Sequence, residues 1–188
     1  MDARLKSDKL RFKLINRFLI GKDILDIGSC EGFLHRLLVE NNPNKKIFTL
    51  DSNQKADYSF SLDKPKKIKK KFDTIVAGEV IEHLESPIKF VRYCKSLLKN
   101  KGRLIITTPN AIGLQYLRNP GWCVHYKGYR GHTQAFTKDM IKRICEDEKL
   151  KVIQEKYINA FWMGNPLKYL SWIIKRLRPD IMVVAEKI

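Results

Sequence analysis

The chain has 188 residues, of which 44% are hydrophobic, enough for one buried core and too few for two comfortable domains. We therefore expect one domain over residues 1–188. The 37 Lys and Arg residues outnumber the 20 Asp and Glu residues, and the net charge of +17 favours an anionic partner such as nucleic acid, phospholipid headgroups or a phosphorylated substrate. No segment approaches the roughly 18 apolar residues of a membrane span, and the N-terminus lacks an apolar signal core, so the expected location is cytoplasmic.

Alternating apolar segments predict an α/β protein in which strands and helices follow one another. The predicted helices run from a Ser7 cap to Leu19, from Phe33 to Asn41, from a Ser86 cap to Gly102, and onward from a Thr137 cap. The predicted strands are Asp23 to Ile27, Ile47 to Leu50, Tyr58 to Leu62, Phe72 to Ala77, Arg103 to Thr107, Val152 to Ile158 and Ile181 to Ala185. This alternation is typical of a doubly wound sheet, whose ligands bind at the carboxyl ends of the strands. The irregular stretches at about 110–136 and 159–180 are expected to be substrate-side insertions.

The densest basic run carries six lysines between Lys64 and Lys71, just before the strand that begins at Phe72. Lysine runs without interleaved aromatic residues are common on solvated surfaces, so a solvated loop is the ordinary interpretation. RNA binding by this run is the alternative.

A glycine-bearing turn follows the first strand. Asp26, Gly28 and Gly32 lie in or just after that strand, and glycines at a turn let the backbone approach a ligand closely. Asp51 closes the next strand, at about the distance where the second strand end of a βαβ unit comes beside the first loop. A carboxylate there can accept hydrogen bonds from two ribose hydroxyls.

Two nucleotide-binding motifs are excluded at this turn. The dinucleotide fingerprint G-x-G-x-x-G would need glycine at position 30 and glycine or alanine at position 33, where this chain has Cys30 and Phe33. No G-x-x-x-x-G-K-[ST] motif occurs, so the turn is not a phosphate-binding P-loop.

With these motifs the chain resembles the class I S-adenosylmethionine-dependent methyltransferases, and within them the branch that includes ubiquinone-biosynthesis O-methyltransferases. The matching segments are Ile24 to Phe33, Asp51, Phe72 to Val76, Glu79 to Leu84, Lys101 to Asn110 and His132 to Thr137. The resemblance implies a Rossmann-like, mostly parallel seven-stranded sheet with an antiparallel last strand. It also implies S-adenosylmethionine as cofactor, held by Asp26, Gly28, Gly32, Asp51, Ala77 and Glu79, with Asp63 near the adenine.

The substrate side is expected to include Glu79, Glu82 and His83, which a helical turn after the fourth strand would place on one face. A Glu–His hydrogen bond that braces the loop is the ordinary interpretation. The alternative is a divalent metal site, completed by His132 or His125, that holds Mg²⁺ or Mn²⁺ and lowers the pKa of an acceptor hydroxyl.

The E-x-x-E-H motif is also similar to that of metal-dependent small-RNA 2′-O-methyltransferases. The candidate catalytic residues are therefore His83, His132 and Glu79, with Glu79, Glu82, His83 and His132 as candidate metal ligands. His132 by itself could act as a general base or pack in its loop.

The segment 166–178 predicts an amphipathic basic helix, with apolar residues on one face and Lys and Arg mostly opposite. Its ordinary interpretation is a lid over the active site. The alternative is an interfacial helix that brings the protein to an anionic membrane, peripheral at the inner membrane surface.

The sequence thus predicts methyl transfer to a small-molecule or lipid-linked acceptor, at oxygen. Two alternatives stay open: a metal-dependent RNA 2′-O-methyltransferase, and a non-catalytic basic binding module on the same fold.

Overall fold

The computed structural model describes residues 3–28, 32–114, 132–158 and 173–188. The α-helices in these ranges are α1 (Ala3–Asn16), α2 (Phe33–Asn41), α3 (Pro87–Leu97) and α4 (Lys138–Asp147). The strands are β1 (Asp23–Ile27), β2 (Lys46–Asp51), β3 (Tyr58–Ser59), β4 (Phe72–Gly78), β5 (Leu98–Pro109), β6 (Leu150–Ile158) and β7 (Asp180–Lys187). Within the described ranges no helix combines the length and apolar character needed to cross a membrane.

The seven strands form one sheet in the order β3-β2-β1-β4-β5-β7-β6. Neighbouring strands from β3 to β5 run parallel, and β7 runs antiparallel to both β5 and β6. This confirms the predicted mostly parallel sheet with an antiparallel last strand. The carboxyl ends of β1, β2, β4 and β5 meet at one edge of the sheet, the carboxyl edge, and the chain order reverses between β1 and β4. Ligands of doubly wound sheets bind at that point.

Hydrophobic clusters cover both faces of the sheet because strand side chains alternate between faces. Ile75 and Ala77 of β4 pack in the cluster that includes the buried residues of α3 and α4. Val76 packs in the opposite cluster, with Ile15 of α1 and Leu38 of α2. The helices therefore hold the sheet from both sides and leave its carboxyl edge for a site.

The first helix begins earlier than the sequence predicts. It starts at Ala3, so Ser7 lies inside α1 and the predicted Ser7 cap is wrong. The residues before Ser7 include good helix formers, and nothing in them stops the helix. The caps predicted at Ser86 and Thr137 are confirmed, since each side chain accepts a hydrogen bond from a backbone N–H in the first turn of its helix.

The sequence predicted that α3 ends at Gly102, and this prediction is wrong. The helix ends at Leu97 and β5 begins at Leu98, with a register shift between Phe72 and Thr74 of the partner strand β4. A Cβ at Gly102 would lie 2.8 Å from a backbone oxygen of the same strand. Gly102 is needed for close backbone approach at this irregularity.

The predicted helix over 166–178 does not continue to its last residues. Positions 159–172 lie outside the described residues, and Lys175–Leu177 forms a 3-10 turn instead. Arg178 precedes Pro179, which disfavours a helical conformation. Asn110 Nδ2 also donates to the carbonyls of Arg176 and Arg178, at 2.8 and 2.7 Å, and so holds this turn against the end of β5.

Candidate active site

The glycine turn after β1 lies against the segment that follows β4. Gly28 has a φ of 78°, and its N–H donates to the Leu50 carbonyl at 2.9 Å. A Cβ at Gly28 would stand 2.3 Å from Val80 Cγ2, so a larger residue cannot fit without displacing Val80. Gly32 is the N-cap of α2, in extended conformation. Positions 29–31, including Cys30, lie outside the described residues.

The two acids predicted to hold the cofactor have different surroundings. Asp26 is fully buried, and its Oδ2 lies 3.0 Å from Nδ1 of His35 on α2. This hydrogen bond raises the pKa of His35. Asp51 lies at the end of β2, where its Oδ1 accepts from the Asn53 N–H at 3.0 Å, which fixes the carboxylate at the carboxyl edge.

The other predicted cofactor residues lie on or beside β4. Ala77 is buried within the strand and pairs with Ile27 and Ile106. Asp63 lies in the connection between β3 and β4, and its Oδ1 accepts from the Glu85 N–H at 3.0 Å. That contact holds the β3–β4 connection against the segment after β4.

Thr107 is a residue that the sequence analysis missed. Its Oγ1 is buried at the carboxyl end of β5 and has no hydrogen-bond partner within the described part of the chain. A Cβ on neighbouring Gly78 would lie 3.5 Å from this oxygen and 3.1 Å from Leu34 of α2. Buried hydroxyls are normally hydrogen-bonded, so a buried hydroxyl without a partner beside a glycine is suited to bind a ligand.

Glu79 does not share a face with Glu82 and His83, contrary to the prediction. It has a left-handed φ of 59° directly after β4, and only the later residues 81–83 form a 3-10 turn. Its Oε1 lies 3.3 Å from the Arg11 guanidinium of α1. Burial raises the pKa of Glu79 well above its usual value, against the attraction of Arg11.

Arg11 was also missed, because two of its three partners, Glu79 and Asp180, are far away in the sequence. Its guanidinium contacts Asp8 at 3.1 Å and Asp180, at the start of β7, at 3.3 Å, besides Glu79. The Arg11 cluster, made of these four residues, joins α1 to the carboxyl edge.

Glu82, His83 and His132 meet at the carboxyl edge, as the metal hypothesis expected. Glu82 is 1% exposed, and its Oε1 lies 4.0 Å from His83 Nε2 and 3.9 Å from His132 Nε2. The two imidazole centroids are 4.8 Å apart, with the rings at 72°. The Oγ1 of Thr108, another missed residue, donates to Glu82 Oε2 at 2.9 Å. His125 lies outside the described residues.

Backbone contacts explain how a residue 50 positions away reaches Glu82. The N–H groups of Thr133 and Gln134 donate to the Glu82 carbonyl at 3.0 and 3.2 Å. The Gln134 side chain donates to the Leu84 carbonyl at 2.7 Å. These bonds fasten the segment that carries His132 to the 3-10 turn.

The electrostatics of this cluster permit both base chemistry and metal binding. Burial raises the pKa of Glu82 to about 7, and burial together with the nearby His83 lowers the pKa of His132 to about 4. His132 is therefore neutral at pH 7, the form that accepts a proton or ligates a metal. Glu82 Oε1 has no hydrogen-bond partner among the described residues, and one donor atom from each of the three side chains lies within 4.8 Å of the others.

Sequence comparison relates the chain to methyltransferases. The profile of the methyltransferase domain family Methyltransf_23 matches residues 2–155. A ubiquinone biosynthesis O-methyltransferase from Glaesserella parasuis is 42% identical over 125 residues, which cover 62% of this chain and 50% of that protein. The mitochondrial enzyme of the same name from Dictyostelium discoideum is 32% identical over 80 residues, covering 43% and 23%. The chain spans about half the length or less of these relatives.

Structural comparison gives the same assignment of fold. A crystal structure of an S-adenosylmethionine-dependent methyltransferase from Mesorhizobium loti superposes with a TM-score of 0.69 at 15% identity, covering 99% of this chain and all of that one. The chain therefore belongs to the methyltransferase domain family and has the fold of S-adenosylmethionine-dependent methyltransferases.

Proposed function

We propose that this protein transfers a methyl group from S-adenosylmethionine to an oxygen of a small-molecule or lipid-linked acceptor. The observation that carries the proposal is the Glu82–His83–His132 cluster at the carboxyl edge, since an oxygen acceptor must be positioned and deprotonated. The name of the G. parasuis relative supports oxygen as the acceptor atom.

The cofactor would lie across the carboxyl ends of β1, β2 and β4. The Gly28 turn, the Gly32 N-cap and the Asp51 carboxylate would hold it, with the backbone of 77–79 beside them. The Thr107 hydroxyl, which has no hydrogen-bond partner among the described residues, could bond to such a ligand. Gly28 has no side chain to prevent its close approach. Asp26 would act indirectly, because its carboxylate bonds His35 and so fixes the strand–helix turn. When bound, the cofactor supplies an electrophilic methyl group on a sulfonium.

His132 is our candidate general base. It is neutral at pH 7, and its Nε2 lies 3.9 Å from the Glu82 carboxylate, which can stabilise the imidazolium formed when His132 takes the acceptor proton. Thr108 orients Glu82 by its hydrogen bond. His83 also lies beside Glu82 Oε1, with its ring centroid 4.8 Å from that of His132, and would orient the acceptor.

A divalent metal held by Glu82, His83 and His132 is the second form of the proposal. The cluster fits a metal in its chemistry: one carboxylate oxygen and two imidazole nitrogens converge, and the oxygen has no hydrogen-bond partner among the described residues. The imidazoles favour Mn²⁺ over Mg²⁺. Such an ion would lower the pKa of the acceptor hydroxyl. Glu79 lies outside this ligand set, paired with Arg11.

A screen with methyl-labelled S-adenosylmethionine tests the proposal. Hydroxyl-bearing small molecules and their lipid-linked counterparts are offered as acceptors, with EDTA or with added Mn²⁺. Loss of transfer in EDTA and its return with Mn²⁺ would support the metal form. Transfer that survives EDTA but is lost in His132→Gln would support the base. Cofactor binding in calorimetry without transfer to any hydroxyl acceptor would overturn the assignment to oxygen.

A further inference from the structure

The lysine run before β4 borders a cavity at the outer edge of the sheet. This cavity, which we name the β3 cleft, has a volume of about 540 Å³. Its lining comprises two stretches of chain, residues 57–60 and residues 66–70. None of the residues of the candidate active site lines it.

The absence of a helix between β3 and β4 creates this cleft. The crossovers from β1 to β2 and from β4 to β5 each contain a helix, whereas the residues between Ser59 and Phe72 form a turn at 61–64 and then a segment without regular secondary structure. Ile68 is buried, and the Lys66 carbonyl accepts from Tyr93 of α3 at 2.8 Å. The segment is therefore fastened to the core by its backbone and one apolar side chain.

The lysines of this segment divide into two groups. Lys70 has a structural contact, since its Nζ lies 2.8 Å from Asp23 and 4.7 Å from the centre of the Phe48 ring. Lys66, Lys67 and Lys69 are exposed, and none forms an ion pair with a carboxylate in the described ranges. Three cationic side chains without acidic partners therefore line the cleft.

Two aromatic side chains, Tyr58 and Phe60, line the cleft together with the lysines. Tyr58 and Phe60 are partly exposed, and each is held edge-on by a second ring, Phe72 for Tyr58 and Tyr93 for Phe60. The lining carboxylate, Asp57, already accepts hydrogen bonds from the N–H and hydroxyl of Thr49, at 2.8 and 2.9 Å. The lysine run itself contains no aromatic residue, but the fold brings Tyr58 of β3 and Phe60, just after β3, to the same cleft.

We propose that the β3 cleft binds single-stranded RNA, with Lys66, Lys67 and Lys69 on the phosphates and Tyr58 and Phe60 beside the bases. Proteins that bind single strands without sequence preference combine a cationic groove with aromatic rings on which bases stack. A membrane fits less well, because interfacial surfaces insert large apolar side chains. In the described residues the large apolar side chains that are exposed lie elsewhere, as at Ile173.

The test measures binding of a fluorescent 12-nucleotide oligouridylate by anisotropy, from 50 to 300 mM salt. The test variant combines Lys66→Gln, Lys67→Gln and Lys69→Gln. Three lost phosphate contacts are expected to lower affinity at least tenfold at 100 mM salt and to reduce the slope of log K against log salt by about 2. Thermal melting of both proteins shows whether the fold is kept.

A matched control removes the same charge elsewhere, by Lys9→Gln, Lys89→Gln and Lys151→Gln, three exposed lysines on α1, α3 and β6. This control should lose less than threefold in affinity. Equal losses in both variants would mean that net charge alone attracts RNA, and would overturn the proposal. So would the absence of binding by the unmodified protein, or lysine-dependent binding to phosphatidylglycerol vesicles without binding to the oligonucleotide. The measurement needs no cofactor, so its failure leaves the proposed methyl transfer standing.

Discussion

Replacing Arg11 by methionine tests whether the Arg11 cluster stabilises the fold. The substitution keeps the apolar stem but leaves Asp180, whose side chain is 10% exposed, without its cationic partner. Breaking a buried ion pair by removing one partner costs about 3–5 kcal/mol. The side chains of Asp8 and Glu79 are 17% and 29% exposed, so water can solvate them once the guanidinium is gone. We therefore expect a loss in the free energy of unfolding at the lower end of this range, about 3 kcal/mol at pH 8.

The cost should fall at acidic pH. Burial raises the pKa of Asp180 and of Glu79 even with Arg11 present, and removing the guanidinium raises both further. A carboxyl whose pKa is higher in the folded state contributes stability that is present at low pH and is lost as pH rises through the folded pKa. Arg11→Met is therefore expected to lose less stability at pH 5 than at pH 8, and Arg11→Met with Asp180→Asn should recover part of the loss.

Urea denaturation followed by circular dichroism measures these free energies. The matched control is Arg103→Met, since Arg103 pairs with Glu186 at 3.4 Å and both side chains are about a quarter exposed. We expect this control to lose under about 1 kcal/mol from the ion pair. The reasoning is refuted if Arg11→Met costs no more than the control, or if its cost is the same at pH 5 and pH 8.

The remaining predictions concern the cofactor turn, a histidine pair and a helix cap. Gly28→Ala should weaken S-adenosylmethionine binding at least tenfold in calorimetry, and adding Val80→Ala should restore it only in part, because the positive φ still disfavours alanine. Asp26 raises the pKa of His35, so this pair stabilises the fold most below about pH 6.5 and less as the pH rises. His35→Gln should therefore lower the melting temperature more at pH 5.5 than at pH 8.5. The same decrease at both pH values would contradict this. Ser86→Ala should cost about 1 kcal/mol in urea unfolding, and no change would mean that the cap is not stabilising.

The sequence predicted the elements whose cause is local. Short apolar runs located all seven strands, although β3 ends at Ser59 instead of Leu62. The side-chain caps at Ser86 and Thr137 were correct, because a cap bonds a backbone N–H within its own first turn. The predicted helix boundaries at Ser7 and Gly102 were wrong because each residue type is compatible with two local structures. Ser7 is compatible with a helix interior as well as a cap, and Gly102 permits a strand irregularity as well as a helix end.

In the candidate active site, too, the sequence predicted the local features, and the tertiary structure was needed for contacts between distant residues. Gly28 and Asp51 follow from the spacing of strand, turn and strand, so the sequence by itself determined the fold class and predicted where a cofactor would bind. Only the tertiary structure separated Glu79 from Glu82, joined Arg11 to Asp180, and brought aromatic rings to the lysine run. Periodicity records which face of an element is buried, whereas contacts between distant segments depend on how those faces pack.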